Sequence, residues 1–274
     1  MANEINEKQE FPDILEDQTT AGTQTGDQKD HKAFKFGEDL DFASKEAYNL
    51  FRTNLAFSFP NYGDRCRIVG ITSPCPQEGK SYTSINLCYS LAKDGMKVLL
   101  IDADMRKPSI AQKLDMKLAP GLSNRLIQDD LKDVIHEGVL HPNLSVMTAG
   151  SIPPTPSELI GSEAMGALIQ ELSKSYQYIV VDLPPVLMVA DPLIVSKYLD
   201  GVVIVLRHRQ TRHSDIKETV RQLKFVQAKI FGFVYNEYAS DRSGYYYYRK
   251  NNYGYYYGTP QQGKSKKADR KESK

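Results

Sequence analysis

Six short, almost wholly apolar segments recur along this chain at intervals too long for hairpins, and they constrain its fold more than any other feature. Residues 67–72 (RIVGIT), 97–102 (KVLLID), 144–148 (LSVMT), 178–182 (YIVVD), 201–206 (GVVIVL) and 229–235 (KIFGFVY) read as strands. Helical patterns lie around them, over residues 44–57, 81–92 (closed by Asp94-Gly95), 163–176, 190–199 and 214–227. Residues 109–137 read as helical but broken. A strand that is apolar without alternation is buried on both faces, and helix-length crossovers join parallel strands. The expected fold is therefore α/β: a doubly wound, mainly parallel sheet with helices on both faces. Its ligand should lie at the carboxyl ends of the strands.

The flanks differ from this middle. Residues 1–38 are rich in Asn, Gln, Thr, Glu and Asp, and are expected to form a disordered acidic segment. Residues 39–240 form the expected catalytic domain, and residues 241–274 a flexible tail that is tyrosine-rich and then basic. The start of the chain has neither a basic nor an apolar leader region, and no run approaches the roughly 20 apolar residues of a membrane span. With 35 Lys and Arg against 34 Asp and Glu, the net charge is +1, which gives no global attraction to nucleic acid. Cys66, Cys75 and Cys88 stand apart, so a disulfide framework or a zinc site is not expected.

Three motifs carry the chemistry. Gly79-Lys80-Ser81 follows a strand and opens a helix, the setting in which inward N–H groups and the helix N-terminus bind phosphate. Lys80 would reach the β- and γ-phosphates and Ser81 would hold Mg²⁺. A standard phosphate loop has glycine at position 74, where this chain has Pro74. The second motif, LLIDADMR at residues 99–106, ends an apolar strand with Asp102 and Asp104, two carboxylates that point the same way in extended chain. Crowding suits them to metal coordination or to a raised pKa on one of them. The third motif, IVVDLPP at residues 179–185, places Asp182 likewise, as a Mg²⁺ carboxylate.

Taken together, SPCPQEGKS, LLIDADMR and IVVDLPP resemble the motifs of the bacterial tyrosine kinases of capsule and exopolysaccharide synthesis. GLSNRL at 121–126, LSVMTAGSIPPTPSELI at 144–160 and VYN at 234–236 extend the resemblance to about residues 40–258. It implies a P-loop NTPase-type fold and an ATP- and Mg²⁺-dependent protein-tyrosine autokinase. Glu78, Gly79, Lys80, Ser81, Tyr82 and Asn236 would contact the nucleotide, and Ser81, Asp104 and Asp182 would hold the metal. Asp102 would activate the acceptor tyrosine, in a role that Asp104 could exchange with it. Arg106 would bind phosphate or order its loop. The family's first helix often reads Glu-x-x-Arg-x-x-Arg, where this chain has Glu46, Asn49 and Arg52.

Of the 17 tyrosines, Tyr245, Tyr246, Tyr247, Tyr248, Tyr253, Tyr255, Tyr256 and Tyr257 crowd one short stretch, with no tryptophan anywhere. Four consecutive aromatics rimmed by Gly and Asn make a poor core. A stacking platform for single-stranded nucleic acid is one reading of them. A phosphoacceptor tail is the reading that the resemblance implies, and it carries no nucleic-acid partner. The expected partners are a transmembrane polysaccharide co-polymerase adaptor, a cognate tyrosine phosphatase and further copies of the chain, joined through the first helix and the tail. The expected location is cytoplasmic, at the inner face of the plasma membrane. A non-kinase P-loop switch ATPase of the Min/Par type is the alternative; that type carries a signature lysine where this chain has Cys75.

Overall fold

The computed structural model describes residues 35–59, 63, 65–128 and 131–237. All six apolar segments are strands: β1 (Arg67–Thr72), β2 (Val98–Asp102), β3 (Leu144–Met147), β4 (Tyr178–Asp182), β5 (Gly201–Arg207) and β6 (Ile230–Asn236). They form one sheet in the order β3-β2-β4-β1-β5-β6. Every pairing in it is parallel.

Alternate residues of each strand enter different cores, as the two-residue period of a strand requires. Leu99, Ile101, Ile179 and Val181 pack with Met165, Leu168 and Ile169 of α6 (Glu163–Leu172). Leu100, Val180, Val69 and Ile71 pack on the opposite face with Ile85, Cys88 and Leu91 of α2 (Lys80–Lys93) and with Leu55 of α1 (Phe42–Ser58). Each fully buried aliphatic side chain contributes about 1.5–3 kcal/mol. Burial on both faces therefore makes the strands the most strongly specified elements. A third cluster joins Val202, Ile204 and Leu206 of β5 to Leu223 of α8 (His213–Phe225).

Helix ends differ more from expectation. Among the described residues of 109–137 only α3 (Ile110–Lys113) and α4 (Leu122–Ile127) form. His136 then bridges Val146 in antiparallel fashion, extending the chain along the sheet edge. The Pro-rich stretch before residue 160 contains α5 (Pro156–Gly161), with Pro156 in its first turn, where a missing N–H costs nothing. The helix beginning at residue 163 ends at Leu172, and α7 (Asp191–Val195) passes into a 3₁₀ turn, Ser196–Tyr198. Near the start, Phe36 is buried and the Gly37 N–H donates to Asn86 Oδ1 of α2 at 3.0 Å. Contacts with the domain thus begin ahead of the boundary read from composition at residue 38.

The topology positions the ligand site. Strand β4 lies between β1 and β2, so three carboxyl ends stand side by side. The register sets Ile71 beside Asp182 and Asp182 beside Asp102. Among the described residues no helix is long and apolar enough to cross a membrane.

Candidate active site

The loop after β1 is a cradle closed by a glycine turn and by side chains from β5, β6 and the turn after β5. Gly79 has φ +91°, in the left-handed region, and a Cβ there would lie 2.0 Å from Asn236 Nδ2. Glycine is required on both counts. Asn236 Nδ2 donates to the Glu78 carbonyl at 3.0 Å, which ties the end of β6 to the loop. The Glu78 carboxylate is wholly buried, accepting from the Cys75 N–H at 2.9 Å and from the Thr211 hydroxyl. Burial pushes its carboxyl up, against these donors. Arg207 Nη1 donates to the Gln77 carbonyl at 3.0 Å, closing the loop's outer side.

Lys80 and Ser81, at the start of α2, meet the acidic strand ends. Lys80 Nζ lies 3.0 Å from Asp104 Oδ2, 3.7 Å from Asp182 Oδ2 and 3.4 Å from Ser81 Oγ. Burial works against the Lys80 ammonium, and the Asp182 and Asp104 carboxylates more than offset it, so its pKa is raised. Asp182 accepts from Ser84 Oγ at 3.0 Å through one oxygen, while the other is buried with no hydrogen-bond partner. Burial raises its carboxyl, and Lys80 opposes this.

Asp102 organises the turn after β2. Its Oδ1 accepts from the Asp104 N–H at 3.2 Å, and its Oδ2 from the N–H groups of Ser109 and Ile110 at 3.2 and 3.1 Å. Burial, then the Asp182 carboxylate, pushes its carboxyl up to about 7. Asp104 accepts the Lys107 N–H at 3.0 Å and faces Lys80 with its other oxygen.

Lys80, Ser81, Asp102, Asp104 and Asp182 are thus brought together as read from the sequence, with Glu78, Gly79 and Asn236 along the loop. Two candidates sit differently. The Tyr82 ring packs on Phe36 at 5.3 Å between centroids, and its carbonyl accepts from Asn86. Arg106 donates to buried Asp191 at 3.0 Å and to Ser157 Oγ at 2.7 Å, so in this structure it fastens the carboxylate turn to α7 and α5. The tyrosines from Tyr245 to Tyr257 lie outside the described residues. Sequence reading missed Ser84, Ser109 and Thr211. Ser84 follows Ser81 by three residues on one helix, a signal available in principle; Ser109 and Thr211 act across the fold and leave no local trace.

The donor set fits a magnesium nucleotide. Ser81 Oγ, Asp104 and the Asp182 oxygen that lacks a hydrogen bond are hard oxygen donors, the class that Mg²⁺ prefers while sharing substrate phosphates. Among the described residues, no group of three or more His, Cys, Asp and Glu side chains is arranged to hold a metal unaided.

Known proteins sharpen the reading. A family model described as an AAA domain matches residues 77–232. The chain is 35% identical over 206 residues to tyrosine-protein kinase YwqD of Bacillus subtilis, covering 75% of this chain and 86% of that protein. It is 32% identical to tyrosine-protein kinase ptk of Acinetobacter johnsonii, but spans only 28% of that longer protein. Among solved structures, the chimerical protein CapA2B2 superimposes with a TM-score of 0.67 at 33% identity, covering 71% of this chain and 85% of the other. The kinase domain of the Escherichia coli tyrosine kinase ETK does so with a TM-score of 0.67 at 29% identity, covering 73% and 79%. The septum site-determining protein MinD of Pyrococcus horikoshii, solved with Mg-ADP, shares the fold at 22% identity and a TM-score of 0.54, covering 65% and 72%. The switch ATPases therefore share the architecture, and the chain belongs to the bacterial tyrosine-protein kinases.

Proposed function

We propose that the protein is an ATP- and Mg²⁺-dependent tyrosine autokinase whose acceptors are the tyrosines of its own 241–274 segment. The observation that carries this reading is the meeting of Lys80 with Asp102, Asp104 and Asp182 at adjacent strand ends. A phosphate cradle alone would serve any P-loop protein. The paired carboxylates add a proton acceptor and metal ligands, which transfer to a hydroxyl needs.

Bound Mg²⁺·ATP supplies the phosphoryl group and neutralises charge. The loop N–H groups and Lys80 hold the phosphates, while Ser81, Asp104 and Asp182 hold the metal. Asp102 takes the proton of the acceptor hydroxyl: a base works best with a pKa near the operating pH, and its carboxyl sits at about 7. Asp104 is engaged with Lys80. Arg106 acts from behind, by fixing the turn through Asp191.

The family relationship further supports a role in regulating capsular or extracellular polysaccharide synthesis and export. It also supports cytoplasmic action at the inner face of the plasma membrane beside a transmembrane adaptor that activates the kinase, with a cognate phosphatase resetting the tail. Self-association through α1 is favoured by Phe42, Leu50 and Phe57, which are exposed on that helix. Glu46, Asn49 and Arg52 are instead engaged within the chain: Asn49 with Glu46 and Ser90, and Arg52 with the Ser90 carbonyl and Asp94.

The test is purified protein with Mg²⁺·ATP and phosphotyrosine detection. Wild type is expected to label its tail and Lys80→Met to lose the label; label unaffected by that change refutes the autokinase reading.

A further inference from the structure

The phosphate site as described has three carboxylates and one ammonium. A second cation stands close by and has been given no role. Lys113 is the last residue of α3, the short helix that begins directly above Asp102. Its amide N–H donates to the Ser109 carbonyl at 3.1 Å, so Lys113 lies one helical turn beyond Ser109 and on the same face. Ser109 marks where that face points: its hydroxyl donates to Ser81 Oγ at 3.0 Å, and its N–H to Asp102. Helical side chains lean back toward the N-terminus, which carries the Lys113 stem toward Ser109 and the phosphate site. Half-buried there, the Lys113 ammonium is pulled down by burial and by Lys80, and pulled up by Asp182 and Asp102, with a net lowering. Those three partners are the groups of the phosphate site itself.

The sheet order says which end of a nucleotide Lys113 would meet. The cradle follows β1. Asn236, assigned to the nucleotide, ends β6, two strands away on one side; α3 follows β2, two strands away on the other. A nucleotide anchored in the cradle with its base toward β6 directs its terminal phosphate toward β2 and α3.

We propose that Lys113 is a second phosphate-binding cation of this site, selective for the terminal phosphate of a nucleoside triphosphate. The inference rests on the kinase reading above and deepens it. Lys80 reaches the β- and γ-phosphates, and Lys113 adds a second contact to the γ-phosphate, which only the triphosphate offers. After transfer that contact is lost, which favours release of the diphosphate.

The experiment measures dissociation constants of Mg²⁺ with a non-hydrolysable ATP analogue and with ADP, using the full chain and Lys113→Gln, Lys113→Met and Lys113→Arg. Loss of one charge-assisted phosphate contact is expected to weaken the triphosphate analogue about tenfold in both neutral variants. ADP affinity should change less than about twofold, and Lys113→Arg should keep most of the preference. Equal weakening for both nucleotides, in variants with unchanged melting temperature, would overturn the proposal and leave Lys113 as a charge balance for the carboxylates. So would unchanged affinity for both. A variant that unfolds is replaced by the other neutral one, since Met keeps the stem that packs and Gln keeps polarity. If wild type binds neither nucleotide, the kinase reading itself fails; if it binds both equally and Lys113→Gln does too, only this inference fails.

Discussion

The turns after β1 and β2 both lead from a strand end into a helix at the same site, yet they are built on opposite principles. The β1 turn closes through Gly79 at positive φ and is held by side chains from far along the chain: Thr211 on the buried Glu78 carboxylate, Asn236 on the Glu78 carbonyl and Arg207 on the Gln77 carbonyl. The β2 turn is organised from within by Asp102, which gathers three main-chain N–H groups and seats α3, and Arg106 fastens it to α7 and α5. The first turn offers cationic and N–H groups to an anion; the second offers carboxylates to a metal and a proton. Placing β4 between them brings Asp182 into register with Asp102 and joins the two chemistries. The difference teaches that the phosphate cradle leans on residues from β5, β6 and the turn after β5, whereas the acidic turn is shaped by its own neighbours and needs the sheet to set Asp182 beside Asp102.

Substitutions break this comparison in order of effect. Lys80→Met removes the ammonium that meets Asp104 and Asp182 and is expected to lower phosphotyrosine formation by at least about 100-fold, read in single-turnover assays. Gly79→Ala attacks the β1 turn alone: its Cβ meets Asn236 at 2.0 Å, and φ +91° is strained for alanine. ATP affinity should fall about tenfold, and adding Asn236→Ala should recover only part of it, because the clash is relieved and the strain stays. Thr211→Val strips a donor from buried Glu78 and should cost about 1–3 kcal/mol in denaturant unfolding, without reaching the carboxylates of the β2 turn.

The smallest effect is a pH dependence that belongs to the β2 turn. Asp102 binds its proton more tightly folded, at about 7, than unfolded, near the ordinary aspartate value of 3.8. Between those values the native state carries more protons, so stability of the nucleotide-free protein should fall as pH rises from 5 to 7. Asp182 is shifted in the same direction. Glu38 and Glu218, lowered to about 2, lose their contribution only as pH falls below the usual carboxylate range, outside this window. Asp102→Asn should flatten the slope in urea titrations at several pH values; an unchanged slope would assign it elsewhere.

Legibility in the sequence followed how far each signal lies from the residue it governs. The six strands, the Gly79-Lys80-Ser81 loop and the three aspartates could be read because apolar runs and neighbouring residues carry their signal locally. Helix α3 was lost in a stretch read as broken helix because Asp102, seven residues before Ser109, is what caps it. Arg106 was recognised as functional, but its partner Asp191 lies 85 residues away in sequence, so its anchoring role was open until the fold brought α7 beside it. The resemblance groups Tyr82 with the nucleotide contacts, and the packing of its ring on Phe36, 46 residues earlier, leaves no local trace in the sequence.

The central claim is that the cradle binds and the carboxylate turn transfers. Asp102→Asn separates the two most directly, with ATP affinity measured by titration and tail phosphotyrosine by mass spectrometry on the same preparation. Retained affinity with phosphotyrosine reduced by about 100-fold or more is the predicted result. Full phosphorylation in Asp102→Asn would contradict it and pass the role of base to another group.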